Sequence, residues 1–230
     1  MDALKALIFD VDGTLADTER DGHRCAFNLA FGEHGLEWQW DEQTYGRLLT
    51  VAGGKERLRH YAERYDPAFF AGRDADALIR ALHATKTRHY VRLAGSGRIP
   101  LRPGVGCLIE TAIARGLRLA IATTTTPENV EALLSATLSE PVRRRFEVIG
   151  AGDVVAAKKP ASDIYAWVLE RLDLPPESCL AIEDSHNGLQ AALGAGLRCL
   201  VNRNDYTRNE DFGGAWRVVD TLEGLEVDDL

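Results

Sequence analysis

Beyond Gly104 the sequence alternates between stretches with helical spacing of apolar residues and short β-rich runs. The spacing predicts a helix over 104–115 closed by Gly116, a strand at 117–123, a helix at 127–138 and a strand at 146–149. A helix at 161–172, a strand at 179–183, a helix at 186–195 closed by Gly196 and a strand at 197–201 follow. This alternation leaves few solutions, because strands separated by helices pair in parallel through crossovers that no tight turn can supply. A short strand around Arg217-Val218-Val219 would extend the sheet. One further β-rich run lies far upstream, at 5–11, and residues 17–93 after it show only loops and helical patterns, from a helix entry at Ala16-Asp17-Thr18-Glu19 to Gly35 and at 41–49, 54–65 and 74–92, broken by Asp66-Pro67. The first strand therefore joins the same sheet, and the helical stretch is an insertion in an α/β body. Gly95-Ser96-Gly97, Pro100 and Arg102-Pro103-Gly104 read as the linker returning from it. Trp38 and Trp40 are expected to pack inside the insertion.

Composition narrows the function classes. With 230 residues, 45% hydrophobic and 27% charged, the chain has the make-up of a globular protein with a sizeable core. A formal net charge of −8 argues against nucleic acid as a partner, since such binding rests on basic patches. Cys25, Cys107, Cys179 and Cys199 are far apart and form no C-x-x-C pair, so they read as reduced, buried thiols in a cytoplasmic protein. No run approaches transmembrane length, and the N-terminus shows no signal-peptide pattern, so no membrane partner is expected.

The chemistry is read from the strand ends. The first strand runs into Asp10-Val11-Asp12-Gly13-Thr14-Leu15 and stops in a polar turn. Residues i and i+2 of an extended chain share a side, so a straight strand would set both carboxylates together, tolerable only with a cation or a shared proton. Two solvated aspartates in a surface turn are an equally good reading of these residues alone. In an open parallel sheet, however, all C-terminal strand ends share one edge, where ligands bind. The strand at 117–123 brings Thr123 there, followed by Thr124-Thr125-Thr126, hydroxyls and amides suited to an oxyanion, although Thr126-Pro127 reads equally well as a helix cap. The strand at 146–149 leads to Gly152-Asp153 and Lys158-Lys159-Pro160; a lysine there can pair with both carboxylate and phosphate, while two solvated lysines are the commoner fate of such a pair. The strand at 179–183 ends in Glu183-Asp184-Ser185, with Asn187 and Gly188 opening a helix. Acids, hydroxyls and a lysine on one edge make good sense around Mg²⁺, a hard cation that takes carboxylate oxygens and leaves room for phosphate.

Taken together, Asp10-x-Asp12-Gly13-Thr14, Thr123, Lys159-Pro160 and Glu183-Asp184-Ser185-x-Asn187-Gly188 resemble the four motifs of the haloacid-dehalogenase-like phosphohydrolases. Within them the chain is most similar to CbbY-like proteins, through Thr18-Glu19, Trp38-x-Trp40-Asp41, Gly53-Gly54-Lys55-Glu56-Arg57, Lys86-Thr87-Arg88-His89-Tyr90 and Ala122-Thr123-Thr124-Thr125-Thr126. The resemblance implies a Rossmann-like core, residues 1–16 and 96–230, with a helical cap over 17–95. It implies Asp10 as the nucleophile that forms an aspartyl-phosphate and Asp12 as general acid and base. Mg²⁺ would be held by Asp10, the Asp12 carbonyl, Asp184 and Glu183, and the moving phosphoryl group by Thr123 and Lys159.

The cap would decide the substrate. Gly53 and Gly54 expose backbone amides and Lys55 and Arg57 add cationic donors, together suited to a second phosphate; a solvated first helical turn is the alternative for these charges. Glu19, His23, Lys86 and Thr124 complete the expected substrate contacts. His23 stands one residue later than in relatives, with Gly22 as the extra residue, and a lone His on an amphipathic helix also reads as core or surface. The implied activity is hydrolysis of a sugar bisphosphate, xylulose 1,5-bisphosphate above all, by a monomeric enzyme whose partner is this small phosphorylated sugar. A phosphomutase or a phosphoglycolate phosphatase would use the same four motifs. A receiver-type signalling domain also gathers acids, a hydroxyl and a lysine at strand ends, but is shorter and lacks a helical insert.

Overall fold

The computed structural model describes residues 4–230, and its sheet is parallel throughout. The strands are β1 (Ala6–Phe9), β2 (Arg118–Ala122), β3 (Phe146–Gly150), β4 (Cys179–Glu183), β5 (Arg198–Asn202) and β6 (Arg217–Val219), in the order β3-β2-β1-β4-β5-β6. β1 sits between β2 and β4 in matched register, Phe9 opposite both Ile121 and Ile182. The order of connection reverses at β1, so the crevice of the sheet opens beyond its C-terminal end. That is where Asp10 begins.

The strand sequences explain the two packed faces. Side chains alternate across a strand. Leu7, Phe9, Leu119, Ile121, Leu180 and Ile182 form one apolar cluster with α5 (Val105–Ala114) and α6 (Pro127–Thr137). On the other face the smaller Ala6, Ala120, Ala122, Cys179, Ala181 and Cys199 admit Tyr165 and Val168 of α8 (Asp163–Leu172) and Leu189 of α9 (His186–Gly194). Central β1 and β4 are buried at every residue, whereas edge strand β3 alternates buried and exposed. The continuous apolar runs of the sequence are thus strands covered on both faces. The first strand is shorter than the expected 5–11. Cys107 is exposed on α5, contrary to the expectation of buried thiols, because it lies on the solvent side of an amphipathic helix.

Between β1 and β2 lie α1 (Arg24–Glu33), α2 (Glu42–Leu48), α3 (Gly54–Tyr65) and α4 (Ala75–Gly95), with an apolar cluster of their own around Phe27, Phe31, Trp40, Tyr45 and Leu58. Asp41 and Asp74 cap α2 and α4 by accepting the amides of Thr44 and Ala77. Trp40 is fully buried, and Asn28 clamps its backbone in both directions, donating to the Trp40 carbonyl at 2.9 Å and accepting its N–H at 2.8 Å. The chain leaves the sheet at Ala16 and returns at Leu101, and these residues pair in an isolated bridge. The short elements that went unforeseen include a 3₁₀ turn at Pro67–Phe70 and α7 (Glu140–Arg143), and the helical stretch expected after Ala16 opens with a π-helical turn at Glu19–His23. No helix among the described residues is long and apolar enough to cross a membrane.

Trp40 fills the centre of the helical cluster, so Trp40→Ala should cost about 3–5 kcal/mol. Urea unfolding measures this directly, and a loss below about 1 kcal/mol would contradict the central role given to this side chain.

Candidate active site

β1 stops at Phe9 and the chain turns at once, with the Val11 carbonyl accepting the amides of Thr14 and Leu15. Asp10 and Asp12 still line one cleft, but of the two only Asp10 belongs to the close carboxylate set with Glu183 and Asp184. Asp10 faces the strand ends of β2 and β4. Its Oδ1 accepts from Lys159 Nζ at 2.6 Å, and the same ammonium donates to Glu183 Oε1 at 2.5 Å and to the Ala122 carbonyl at 2.9 Å. All three donors of Lys159 are thereby used. Burial alone would lower its pKa, but Asp10 and Glu183 outweigh this and raise it, so the group stays charged.

Asp10, Glu183 and Asp184 are all buried, with one ligand atom each within 4.8 Å of the others. Burial, only partly offset by Lys159 and reinforced by Glu183 and Asp12, pushes Asp10 up to about 8. Asp184 is likewise raised, by burial and by the charges of Asp10 and Glu183. A buried carboxylate set short of positive charge, all hard oxygen, suits a divalent cation of the Mg²⁺ type. Gly13, with φ +87°, lies against it: a Cβ there would come within 2.4 Å of Asp184 Oδ2. The side chain of Asp12, expected near the metal through its carbonyl, is not part of this carboxylate set.

Asp12 belongs instead to the side facing the insert. Its Oδ1 accepts from the Thr18 hydroxyl at 2.6 Å, and His23 Nε2 lies 2.8 Å from the same oxygen, off the line of an ideal hydrogen bond. Burial would raise Asp12, but His23, the Thr18 hydrogen bond and the charge of Lys86 outweigh it and hold the group at about 2. His23 is stacked on Tyr90 at 4.1 Å, and its Nδ1 lies 2.6 Å from Lys86 Nζ. An ammonium offers no lone pair, so Nδ1 is the acceptor and the proton sits on Nε2, toward Asp12. Gly22 lies within a π-helical turn, Glu19–His23, which takes about one more residue per turn than an α-helix, and both Gly22 and His23 are buried there. Only glycine fits, since a Cβ at Gly22 would sit 2.9 Å from both Tyr90 and Ile99.

The residues expected from the sequence to act in catalysis, metal binding or substrate binding line two adjoining clefts between sheet edge and insert. Asp10, Asp12, Thr123, Thr124, Lys159, Glu183 and Asp184 line one of about 90 Å³, with Glu19, Gly53 and Arg57 from the insert. The other, about 60 Å³, is lined by Asp12, Glu19, His23, Gly53, Gly54, Lys55, Arg57, Lys86 and Thr124. Arg57 arrives already engaged: it is buried, donates to Tyr45 Oη at 2.9 Å and to the Leu48 and Val51 carbonyls, and Tyr45 in turn donates to Glu19 at 2.5 Å. Lys55 reaches across to Asp153 at 2.6 Å, in a half-exposed pair that water and ligand can disrupt. Sequence reasoning missed Tyr165, which donates to Glu183 Oε1 at 2.6 Å, and His83, whose pKa burial lowers to about 3, keeping a neutral imidazole on the second cleft. Neither carries a motif; only the packing of α8 and α4 brings them in.

Comparison with known proteins agrees with this geometry. A model of the haloacid dehalogenase-like hydrolases matches residues 4–196. Protein CbbY of Rhodobacter capsulatus is 52% identical over 218 residues, 94% of this chain and 93% of that protein. The crystal structure of CbbY from Rhodobacter sphaeroides in complex with phosphate superposes with a TM-score of 0.91 at 48% identity, covering 99% of each chain. A mutant of that protein in complex with xylulose-(1,5)bisphosphate matches equally well.

Burial lowers Lys86, which faces His23, to about 8, against the pull of Asp12 and Glu19. The protonated form fixes the His23 tautomer, so the rate should fall as pH rises through about 8. In Lys86→Arg, whose side chain keeps its charge, this limb should move to higher pH whatever happens to the maximal rate. A pH–rate profile with the limb unmoved would show that another group governs it.

Proposed function

The chain belongs to the haloacid dehalogenase-like hydrolases, and on that premise we propose that it is a Mg²⁺-dependent phosphatase that removes one phosphate from a sugar bisphosphate. The observation that carries the reading is the separation of two aspartates two residues apart. Asp10 lies among Lys159, Glu183 and Asp184 where a phosphoryl group would be drawn, and Asp12 is held aside by Thr18 and His23. In the first step an Asp10 oxygen attacks phosphorus, the bond to the sugar oxygen breaks, and that oxygen takes a proton from Asp12. In the second, Asp12 takes a proton from water, whose oxygen attacks the aspartyl-phosphate and frees Asp10. Asp12 is ionised at rest, and the approaching phosphate dianion raises its pKa toward what the first step needs. Asp10, Glu183 and Asp184 would hold Mg²⁺, which when bound neutralises the charge that builds on the transferred group. Lys159 and the Thr123 hydroxyl contribute at the same oxygens.

The second phosphate would lie in the other cleft, taken by Lys55 in exchange for Asp153 and by the amides of Gly53 and Gly54. Arg57, with three of its five N–H donors engaged by Leu48, Tyr45 and Val51, would also act through Tyr45, which presents the Glu19 carboxylate to sugar hydroxyls. The clefts have room for a few waters rather than for a sugar with two phosphates, so the helical cap over 17–95 would open to admit substrate and close to exclude water. The likeness to a protein crystallised with xylulose-(1,5)bisphosphate supports a ketopentose bisphosphate as the substrate.

Phosphate release from xylulose 1,5-bisphosphate with Mg²⁺ tests the reading. Asp10→Asn should lower it about 10³-fold or more, and an unchanged rate would remove Asp10 from the nucleophile role. Lys55→Ala should cost about 10- to 100-fold on bisphosphates, the worth of a hydrogen bond between charged groups, and little on monophosphates. Equal losses on both would place the second phosphate elsewhere.

A further inference from the structure

Asp184 differs from its two neighbours in how it is held. Asp10 and Glu183 share the ammonium of Lys159, whereas Asp184 is gripped by neutral donors, the Thr14 hydroxyl at 3.2 Å on Oδ1 and the Asn204 amide at 2.7 Å on Oδ2. Asn204 lies just beyond β5, outside every motif. Its Oδ1 accepts the backbone amides of Tyr206 at 2.9 Å and Thr207 at 3.2 Å, and its own N–H donates to Thr207 Oγ1 at 3.0 Å. Those two amides settle which end of the carboxamide is oxygen, so the NH₂ end is the one aimed at Asp184. A second bond from the same NH₂ reaches the Gly13 carbonyl at 3.4 Å, and Arg102 also donates to that carbonyl.

We infer that Asn204 is a positioning residue for the metal ligand Asp184. The inference rests on the proposed metal role of the Asp10, Glu183 and Asp184 carboxylates. A neutral amide orients a carboxylate without forming an ion pair with it, so the Asp184 oxygens stay available to a cation while Lys159 pairs with the other two acids. The loop at 203–207 is locked by its own hydrogen bonds, which makes the amide a preorganised donor rather than a mobile one.

Calorimetric titration of the full chain with Mg²⁺ alone separates this role from a merely structural one. Asn204→Ala should raise the Mg²⁺ dissociation constant about tenfold or more. Asn204→Ser keeps an oxygen that can accept the loop amides but cannot reach Asp184, and should show the same loss with the metal-free unfolding midpoint near that of the wild type. Asp205→Ala, on the same loop and paired only with Arg208, should bind Mg²⁺ as the wild type does. In turnover, both Asn204 variants should need more Mg²⁺ for half-maximal rate yet recover kcat at saturation. Wild-type Mg²⁺ affinity in Asn204→Ser overturns the inference. A wild type that takes up no Mg²⁺ overturns the metal reading beneath it, and this inference with it.

Discussion

One ammonium group organises the edge of the sheet. Lys159 Nζ is buried and lies 2.6 Å from Asp10 and 2.5 Å from Glu183, two carboxylates that β1 and β4 deliver side by side. Without it, buried like charges would stand within a few ångströms of one another, a cost of several kcal/mol that no packing around them could offset. Its third donor is tied to the Ala122 carbonyl at the end of β2, so a single cation fastens the ends of three strands. One lysine cannot balance three acids. Asp10 and Asp184 remain pushed up, and the residual negative charge is what makes the edge receptive to a divalent cation.

That edge exists because the sheet is covered on both faces. Large aliphatic residues of β1, β2 and β4 fill one side, and alanines and cysteines on the other let α8 pack close enough for the Tyr165 hydroxyl to reach Glu183. The hydroxyl therefore connects the packing of the core to the orientation of a carboxylate at the site. Burial excludes water there, which strengthens each polar contact and removes any freedom to leave one unmade.

The insert works on the other aspartate. Asp12 is two residues from Asp10, yet Thr18, His23 and Lys86 give it an opposite electrostatic setting, drawn down where Asp10 is drawn up. Two carboxylates whose environments drive their pKa values apart can divide nucleophilic and proton-transfer roles between them. The arrangement depends on backbone detail. A π-helical turn holds Gly22, and His23 at its end stacks on Tyr90 with its Nε2 toward Asp12.

The parallel α/β body, the helical insertion and the motif residues at the strand ends were legible in the sequence by itself. Each is local: hydrophobic period, turn chemistry, and acids or hydroxyls immediately after an apolar run carry their meaning within a few residues. What those residues do to one another was not legible. Asp10 and Asp12 line one cleft, yet the turn after Phe9 gives them different partners, Lys159 for the first and Thr18 and His23 for the second. Arg57 read as a cationic donor, and only the structure shows that three of its N–H groups are taken by Tyr45, Leu48 and Val51. Tyr165 and Asn204 reach their carboxylates from 18 and 20 residues away in sequence, by crossing over the sheet edge. Local physics determined which chemical groups this chain brings to one edge. Only tertiary packing decided which of them are charged, which are paired and which way each one faces, because burial and distance between remote segments set the energies of those choices.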